Sequence, residues 1–336
     1  MTKDRKFSGE FIAFDEIRRK KSHCETIIEV NNKWAVEHPD ECDPLKLERE
    51  NEQASAEITQ LDAILATEPP PPELPPRQPL FKVSGMLEEF SVQKVIGYFT
   101  DREYDPEAFA HQESRNQVGG LLVAMTGNTA GAAVTGQSQV RMSDASDFVR
   151  GKINGVSFSG WLGKTNVKVG DFVEMAVMGR EEHYVVYAIA LPELRTITMT
   201  PYCRHGREID VFYEYRSGIF LIGGFFTVLL LFVFFASKSL SLEDFLKLVV
   251  ISYSITAYAC FRGVRKQRKR PKPTTLLAEA IFTVLGFNEP KRVDLEKITK
   301  EQIKVLPPDL LTSDGREMPS RTSYLDGFFT IDRNFL

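Results

Sequence analysis

Between Gly218 and Phe261 the chain carries two apolar runs separated by a short polar segment, and any fold must dispose of them. The first, Gly218–Ala236, reads GIFLIGGFFTVLLLFVFFA and holds no charge. Crossing roughly 30 Å of hydrocarbon takes about 20 mostly apolar residues at about 1.5 Å rise each. The first run meets that requirement and is too long for an ordinary core helix. The second, Leu248–Phe261, is short alone. Counted back through Lys247 to Phe245 it suffices, with the Lys247 ammonium snorkelling to the interface. The alternative for this second run is a buried or re-entrant helix. The pattern predicts a transmembrane hairpin over 217–261, with helices at 217–237 and 245–261. Gly223, Gly224, Thr227, Ser252 and Thr256 offer small faces on which helices pack closely in lipid.

The flanks set the orientation. Arg262, Arg265, Lys266, Arg268, Lys269 and Arg270 follow the second run directly. Excess Lys and Arg marks the cytoplasmic side, so both termini are expected there, with only the connecting loop outside. The same cluster suits anionic headgroups. A nucleic-acid patch is the competing reading, and a formal net charge of −4 argues against it for the chain as a whole. The charged start, MTKDRKFSGEF, lacks the apolar core of a signal peptide. Cys24, Cys42, Cys203 and Cys260 stand apart, as reduced thiols of a cytoplasmic protein do.

The expected fold class is an α+β membrane protein. A helical N-terminal region (1–66) includes a stripe of Leu47, Asn51, Ala54, Ile58, Leu61 and Leu65 that packs on its own chain or pairs with a second. Residues 67–79 carry seven prolines and read as a polyproline II linker, with a PxxP pattern inside it. Residues 80–200 read as a small OB-like or SH3-like β-barrel with a Gly/Ala-rich insert at 116–140. Asn154-Gly155 marks its clearest hairpin turn. After the membrane hairpin comes a basic, helical tail, 262–336.

Chemistry-bearing motifs are weak. GWLGKT, Gly160–Thr165, lacks the first glycine of a phosphate loop, because Phe158 stands in its place. Cys203, His205 and His183 do not make a metal-ligand spacing. Asp171 and Glu174 read as solvated charges, and no nucleophile–base pair is visible, so neither catalysis nor a cofactor is expected. If the barrel binds anything, Trp161, Tyr184 and Tyr187 are the candidate face, with core packing as the alternative for at least two of them.

An ordered set of motifs carries a family resemblance. The Gly/Ala-rich stretch comes first, then DFVRGKINGVSFSGWLGKT, KVGDFVE and HYVVYAI, then PYCRHGR, the hairpin, and AEAIFTVLGFNEPKRVDL. Over roughly half its length the chain resembles bacterial membrane proteins described as type VI secretion system effectors. That resemblance implies a non-catalytic inner-membrane protein, membrane-acting after oligomerisation, or else a membrane-tethered binding, immunity or accessory module that uses its cytoplasmic barrel. The partners it implies are a bilayer with anionic headgroups, further copies of the chain, and a cognate immunity protein, chaperone or toxin, with no nucleic acid among them.

Overall fold

A computed structural model of the chain describes residues 11–38, 43–99, 101–107, 109–111, 114, 143–236, 242–305, 315–320 and 322–331. The Gly/Ala-rich insert at 116–140 and residues 237–241 between the two apolar runs lie outside the described residues. The architecture is mixed α/β: a closed five-stranded barrel with helices before, beside and after it.

The strands of the barrel are β1 (Phe81–Tyr98), β2 (Ser143–Ile153), β3 (Val156–Leu162), β4 (Phe172–Arg180) and β5 (His183–Leu191). Strand β1 is long because it serves two partners. Phe81–Met86 pairs antiparallel with β4, and Leu87–Tyr98 pairs antiparallel with β2. A bulge between Leu87 and Glu89 bends the strand where it changes partner. The β2–β3 turn is Asn154-Gly155, with φ of 51° and 77°, the left-handed pair that a tight hairpin of this twist requires. Parallel pairing of Ser157–Ser159 with His183–Val185 closes the barrel. Alternation then fills it. Val149, Ile153, Phe158, Leu162, Val173, Met175, Val177, Val186, Ile189 and Leu191 form one interior cluster, each at most 2% exposed.

Closure depends on Gly160. A Cβ there would lie 2.2 Å from the Val186 carbonyl oxygen, so only glycine lets β3 and β5 approach. Gly163 is equally constrained, since its Cβ would sit 1.9 Å from the Asp326 carbonyl oxygen. Lys164 N–H donates to that oxygen at 2.7 Å. The two glycines of GWLGKT thus serve barrel closure and docking of the C-terminal segment.

The sheet runs on past the barrel. Strand β6 (Thr196–Met199) pairs with β5, and β7 (Phe328–Thr330) pairs with β6. Against the outer side of this sheet lies helix α7 (Pro273–Leu285). Leu277, Ala278, Ile281, Phe282 and Leu285 join Ala176, Met178, Ala188, Ala190, Ile197, Met199 and Phe329 in a second core. At the N-terminus, α1 (Phe14–Glu37) and α2 (Pro44–Leu65) form a hairpin that buries Cys24, Ala54 and Leu61, so the α2 stripe packs on its own chain. Ile12 bridges to Val95 of β1, Phe14 packs with Val95 and Phe148, and a short helix, α3 (Asp101–Tyr104), follows β1.

A helical run leaves the barrel through α4 (Arg207–Gly218), a π turn at Ile219–Gly223 and α5 (Gly224–Ala236). The chain returns as α6 (Leu242–Lys269). Helix α6 contains the described segment long and apolar enough to cross a membrane, Phe245–Arg265, of which 6% of the most apolar window is buried. Gly223 faces the Tyr253 ring, Gly218 faces Cys260, and the Thr227 and Tyr253 hydroxyls hydrogen-bond. Phe220, Leu221, Phe225, Val228 and Phe232 of the outgoing run and Val250, Ile255, Tyr258 and Phe261 of α6 are exposed.

The root of α4 is fastened by charge. Glu279 of α7 takes the Arg207 guanidinium in two bonds, Nε to Oε1 at 2.9 Å and Nη2 to Oε2 at 2.6 Å. The same Oε1 accepts the Arg207 backbone N–H at 2.9 Å. Gly206 at the N-cap has no side chain, so a carboxylate from another helix caps the first turn. Arg292 pairs with Glu208 at 2.7 Å, and Lys272 pairs with Glu214 and Asp210.

Gly160→Ala is expected to cost on the order of 3 kcal/mol or more through barrel opening, whereas Gly155→Ala, with open space around it, costs about 1 kcal/mol through its φ alone. Thermal melts of the detergent-solubilised chain check both. Glu279→Ala leaves a guanidinium and a helix-end N–H without their partner. Because Arg207 is partly solvated, the expected cost is about 2 kcal/mol.

Candidate functional site

The site grows from the outer side of β2, β3 and β5. With Val149, Phe158 and Val186 turned inward, the pleat sends Phe148 and Arg150, Ser157, Ser159 and Trp161 outward. Strand β5 does not keep strict alternation. Ala176 pairs with Ala188 and Val177 with Val186, so Tyr187 is the extra residue of a bulge. The bulge leaves Val186 and Ile189 inside and places Tyr187 with Ala188 in the outer cluster.

The proline-rich segment lies across this face. The Trp161 indole N–H donates to the Pro70 carbonyl at 2.8 Å, and the Tyr187 hydroxyl donates to the Glu73 carbonyl at 2.8 Å. Leu74 is buried in the outer core, and Arg180 pairs with the Glu73 carboxylate. Gln93 of β1 holds the Thr67 carbonyl at 3.1 Å where the segment begins. Residues 67–79, expected as a spacer, are therefore a strap packed on the barrel. Proline lacks an N–H, so strap carbonyls need donors from elsewhere, and the two aromatic side chains supply them. Burial first, then Glu73, pushes the Tyr187 pKa upward and keeps that hydroxyl a donor.

Between strap and barrel lies a cavity of about 170 Å3, lined by Pro70–Leu74, Trp161, His183 and Tyr187 among others. Beside it runs an open groove of about 490 Å3, walled by Pro70 and floored by Phe90, Phe148, Arg150, Ser157, Phe158, Ser159 and His183. The Arg150 guanidinium sits 5.0 Å from the Phe148 ring centre. His183 is held between two hydroxyls, Nε2 to Ser159 Oγ at 2.8 Å and Nδ1 to Ser157 Oγ at 3.3 Å. Burial and the neighbouring Arg180 lower the His183 pKa, with Glu73 opposing. The groove thus offers aromatic edges, the Arg150 cation, the Glu89 carboxylate and an imidazole whose pKa is lowered.

Of the sequence-predicted face, Trp161 and Tyr187 meet on the strap, while Tyr184 packs at the other side of the strand, edge-on to Phe81 with ring centres 5.7 Å apart. Sequence reading expects Phe148 among the residues that supply the barrel's core and face, and it missed Arg150, Ser157, Ser159 and His183 as partners on that face. Strand alternation in DFVRGKI and VSFSGWL signals that Phe148, Arg150, Ser157 and Ser159 share a face, while His183 joins them only through the β3–β5 closure. Of the packing set, Gly223 meets Tyr253, Thr227 bonds Tyr253, Thr256 is buried with its hydroxyl on the Ser252 carbonyl, and Gly224 has open space around it. Arg262, Arg265, Arg268, Lys269 and Arg270 are exposed at the end of α6, and the side chain of Lys266 lies outside the described ones.

The remaining motifs resolve into structural pairs. Asp171 holds Arg316, and Glu174 pairs with Lys82 at 2.7 Å. Cys203 is buried beside the Tyr104 hydroxyl, and burial pushes its thiol up to about 12. His205 lies 3.4 Å from Asp294, far along the chain from His183 and on a different element. Among the described residues no three His, Cys, Asp or Glu side chains converge on a metal position. Comparison with known families, curated proteins and solved structures finds no match for this chain.

Trp161→Phe and Tyr187→Phe each delete one carbonyl bond, worth about 1 kcal/mol, and should each speed tryptic cleavage after Arg77 of the strap about fivefold. A folded-state pKa held below the ordinary 6.5 means that His183 contributes stability above that pH and loses it as pH falls. The melting temperature of the wild type should therefore drop between about pH 7.5 and about pH 5 by more than that of His183→Gln.

Proposed function

We propose that the chain is a non-catalytic bacterial inner-membrane protein of two spans that holds a barrel-borne binding face in the cytoplasm, close to the bilayer. One observation carries this reading. A barrel with an open aromatic groove is fastened, through Arg207–Glu279, to a pair of helices whose apolar side chains face outward. The run Gly218–Ala236 lies against α6, which supports reading it as the first span of the hairpin. The cationic end of α6, Arg262–Arg270, then marks the cytoplasmic headgroup layer.

The barrel we read as OB-like. Its strand order is β1–β2–β3–β5–β4, with antiparallel neighbours and a parallel β3–β5 closure, and barrels of that kind bind along strands 2 and 3. The groove lies on that side. Glu73 and Glu89 stand in or beside it with Arg150 and Arg180, a nearly neutral lining that suits a peptide better than a polyphosphate.

The effector reading, membrane-acting after oligomerisation, rests on the motif resemblance. One observation favours it as a second reading: Gly224, unlike Gly223, meets nothing within 4 Å and is left for packing with another helix.

Topology tests the main reading. In a chain whose four native cysteines are changed to alanine, Lys247→Cys should react with an impermeant maleimide in intact cells, and Arg270→Cys only after permeabilisation. The same labelling of both positions from outside, or carbonate extraction of the chain from membranes, would overturn it. For the second reading, Gly224→Leu should reduce chemically cross-linked oligomers while the barrel's melting temperature holds.

A further inference from the structure

We infer that the outer face of β3 and β5 is a recognition surface for extended proline-rich peptides, that the strap is its resident intramolecular ligand, and that a proline-rich segment of a partner protein is its exchangeable one. This rests on the binding-module reading above and names the ligand class of that site.

The argument starts from spacing. A polyproline II helix has three residues per turn, so the carbonyls of residues i and i+3 emerge on the same side. Trp161 takes the carbonyl of residue 70 and Tyr187 that of residue 73, one such turn apart. The two donors stand on different strands, and the bulge at Tyr187 turns the second one outward. Between them they read a backbone repeat. An aromatic-lined surface that bonds carbonyls at this interval is how polyproline II segments are held in general.

Side chains add a coarse specificity. Arg180 pairs with Glu73, and Leu74 is the apolar anchor that follows. The pattern favoured is a proline run, then an acid, then an aliphatic residue. Because the donors contact only backbone, other sequences of that pattern fit the same positions.

The surface exceeds its resident ligand. The cavity under the strap and the open groove beside it share Pro70, Phe148, Ser159 and His183, so strap residue Pro70 is a divider within one trough. The strap is also constrained before Pro70, where it arrives from α2 with Thr67 tied to Gln93 and Arg18 on Glu68. A second copy's strap arrives from the same helix under the same constraint. A partner segment without a helix before it is free to fill the trough, with Arg150 and the Phe90 and Phe148 rings as further contacts. The covalent strap acts at high effective concentration, so exchange needs either a strong ligand or release of the strap.

The test uses the full chain in nanodiscs and a fluorescein-labelled peptide of the strap's own sequence, TEPPPPELPPRQPL, read by anisotropy. The expected result is weak binding to the wild type and at least tenfold tighter binding to a Pro70→Gly/Pro71→Gly/Pro72→Gly chain, whose strap competes poorly. Adding Trp161→Phe or Tyr187→Phe to that chain should weaken binding about fivefold each. Absence of binding at millimolar peptide, or binding indifferent to both substitutions, overturns the proposal. If the glycine variant does not fold, as judged by near-ultraviolet circular dichroism, 5-fluorotryptophan in the wild type replaces it. Excess peptide should then shift the Trp161 fluorine resonance and leave that of Trp34 in place, and an unmoved Trp161 signal overturns the proposal. A concentration-dependent dimer that excludes the peptide would instead assign the face to a second copy and overturn the partner assignment. Membrane topology is independent of these substitutions, so failure here and failure of the membrane-tethered reading are separable.

Discussion

The approach of β3 to β5 at Gly160 is the constraint on which the rest depends. Only three parallel residue pairs join the two strands, and the next position along admits no Cβ. Without that seam the sheet would be open, with unpaired β3 and β5 edges of the kind that invite association with other chains. With it, β3 and β5 become neighbours, and side chains far apart in sequence share one outer surface. Ser157, Ser159 and Trp161 come from β3, while His183 and Tyr187 come from β5. The candidate site is therefore a product of closure, and it has no existence in either strand alone.

The strap and the face answer each other's deficits. Four successive prolines offer carbonyls and no N–H, and they cost little to order because their backbone is already restricted. The face offers donors on rigid aromatic stems. Neither Trp161 nor Tyr187 could be buried with its polar atom unpaired without penalty, so each needs an acceptor. A proline-rich segment is an economical source of acceptors, since it brings no donors that would need partners of their own.

Much of the barrel was legible in the sequence. Asn154-Gly155 marked its turn, and alternation in VSFSGWL and FVEMAVMG marked strands. Strand β1 was harder. LFKVSGML and VQKVIGYFT read as two short stretches because the bulge after Leu87 interrupts their phase, and the two halves answer to different partners. The bulge at Tyr187 is hidden for a related reason: HYVVYAIAL is apolar throughout, so no periodic signal reports which residue is extra. The docking of residues 67–79 was not legible at all. Local composition fixes their extended form, but their position is decided by two donors located more than 90 and 110 residues onward. Trp161 and Tyr187 were visible as candidates, yet their pairing with a strap is a tertiary fact. The apolar runs present the reverse case. Their composition was the strongest signal in the chain, and the structure adds where they meet, at Gly218, Gly223 and Tyr253.

Fastening the barrel to the helical stalk gives the face its meaning. Glu279 binds both the side chain and the backbone of Arg207, so one carboxylate caps the helix that continues into the first apolar run and ties it to the helix packed on the barrel. Such a joint removes a swivel. A binding face on a flexible tether samples every orientation, and its ligand gains nothing from the surface nearby. Held beside the exposed apolar helices and the cationic end of α6, the same face would, in the membrane arrangement proposed above, sample a narrow layer in which membrane-bound partners are concentrated. On the proposed reading, the joint at Arg207–Glu279 would favour partners presented at the membrane, and the strap would raise that threshold by occupying the site until such a partner is held close enough to compete.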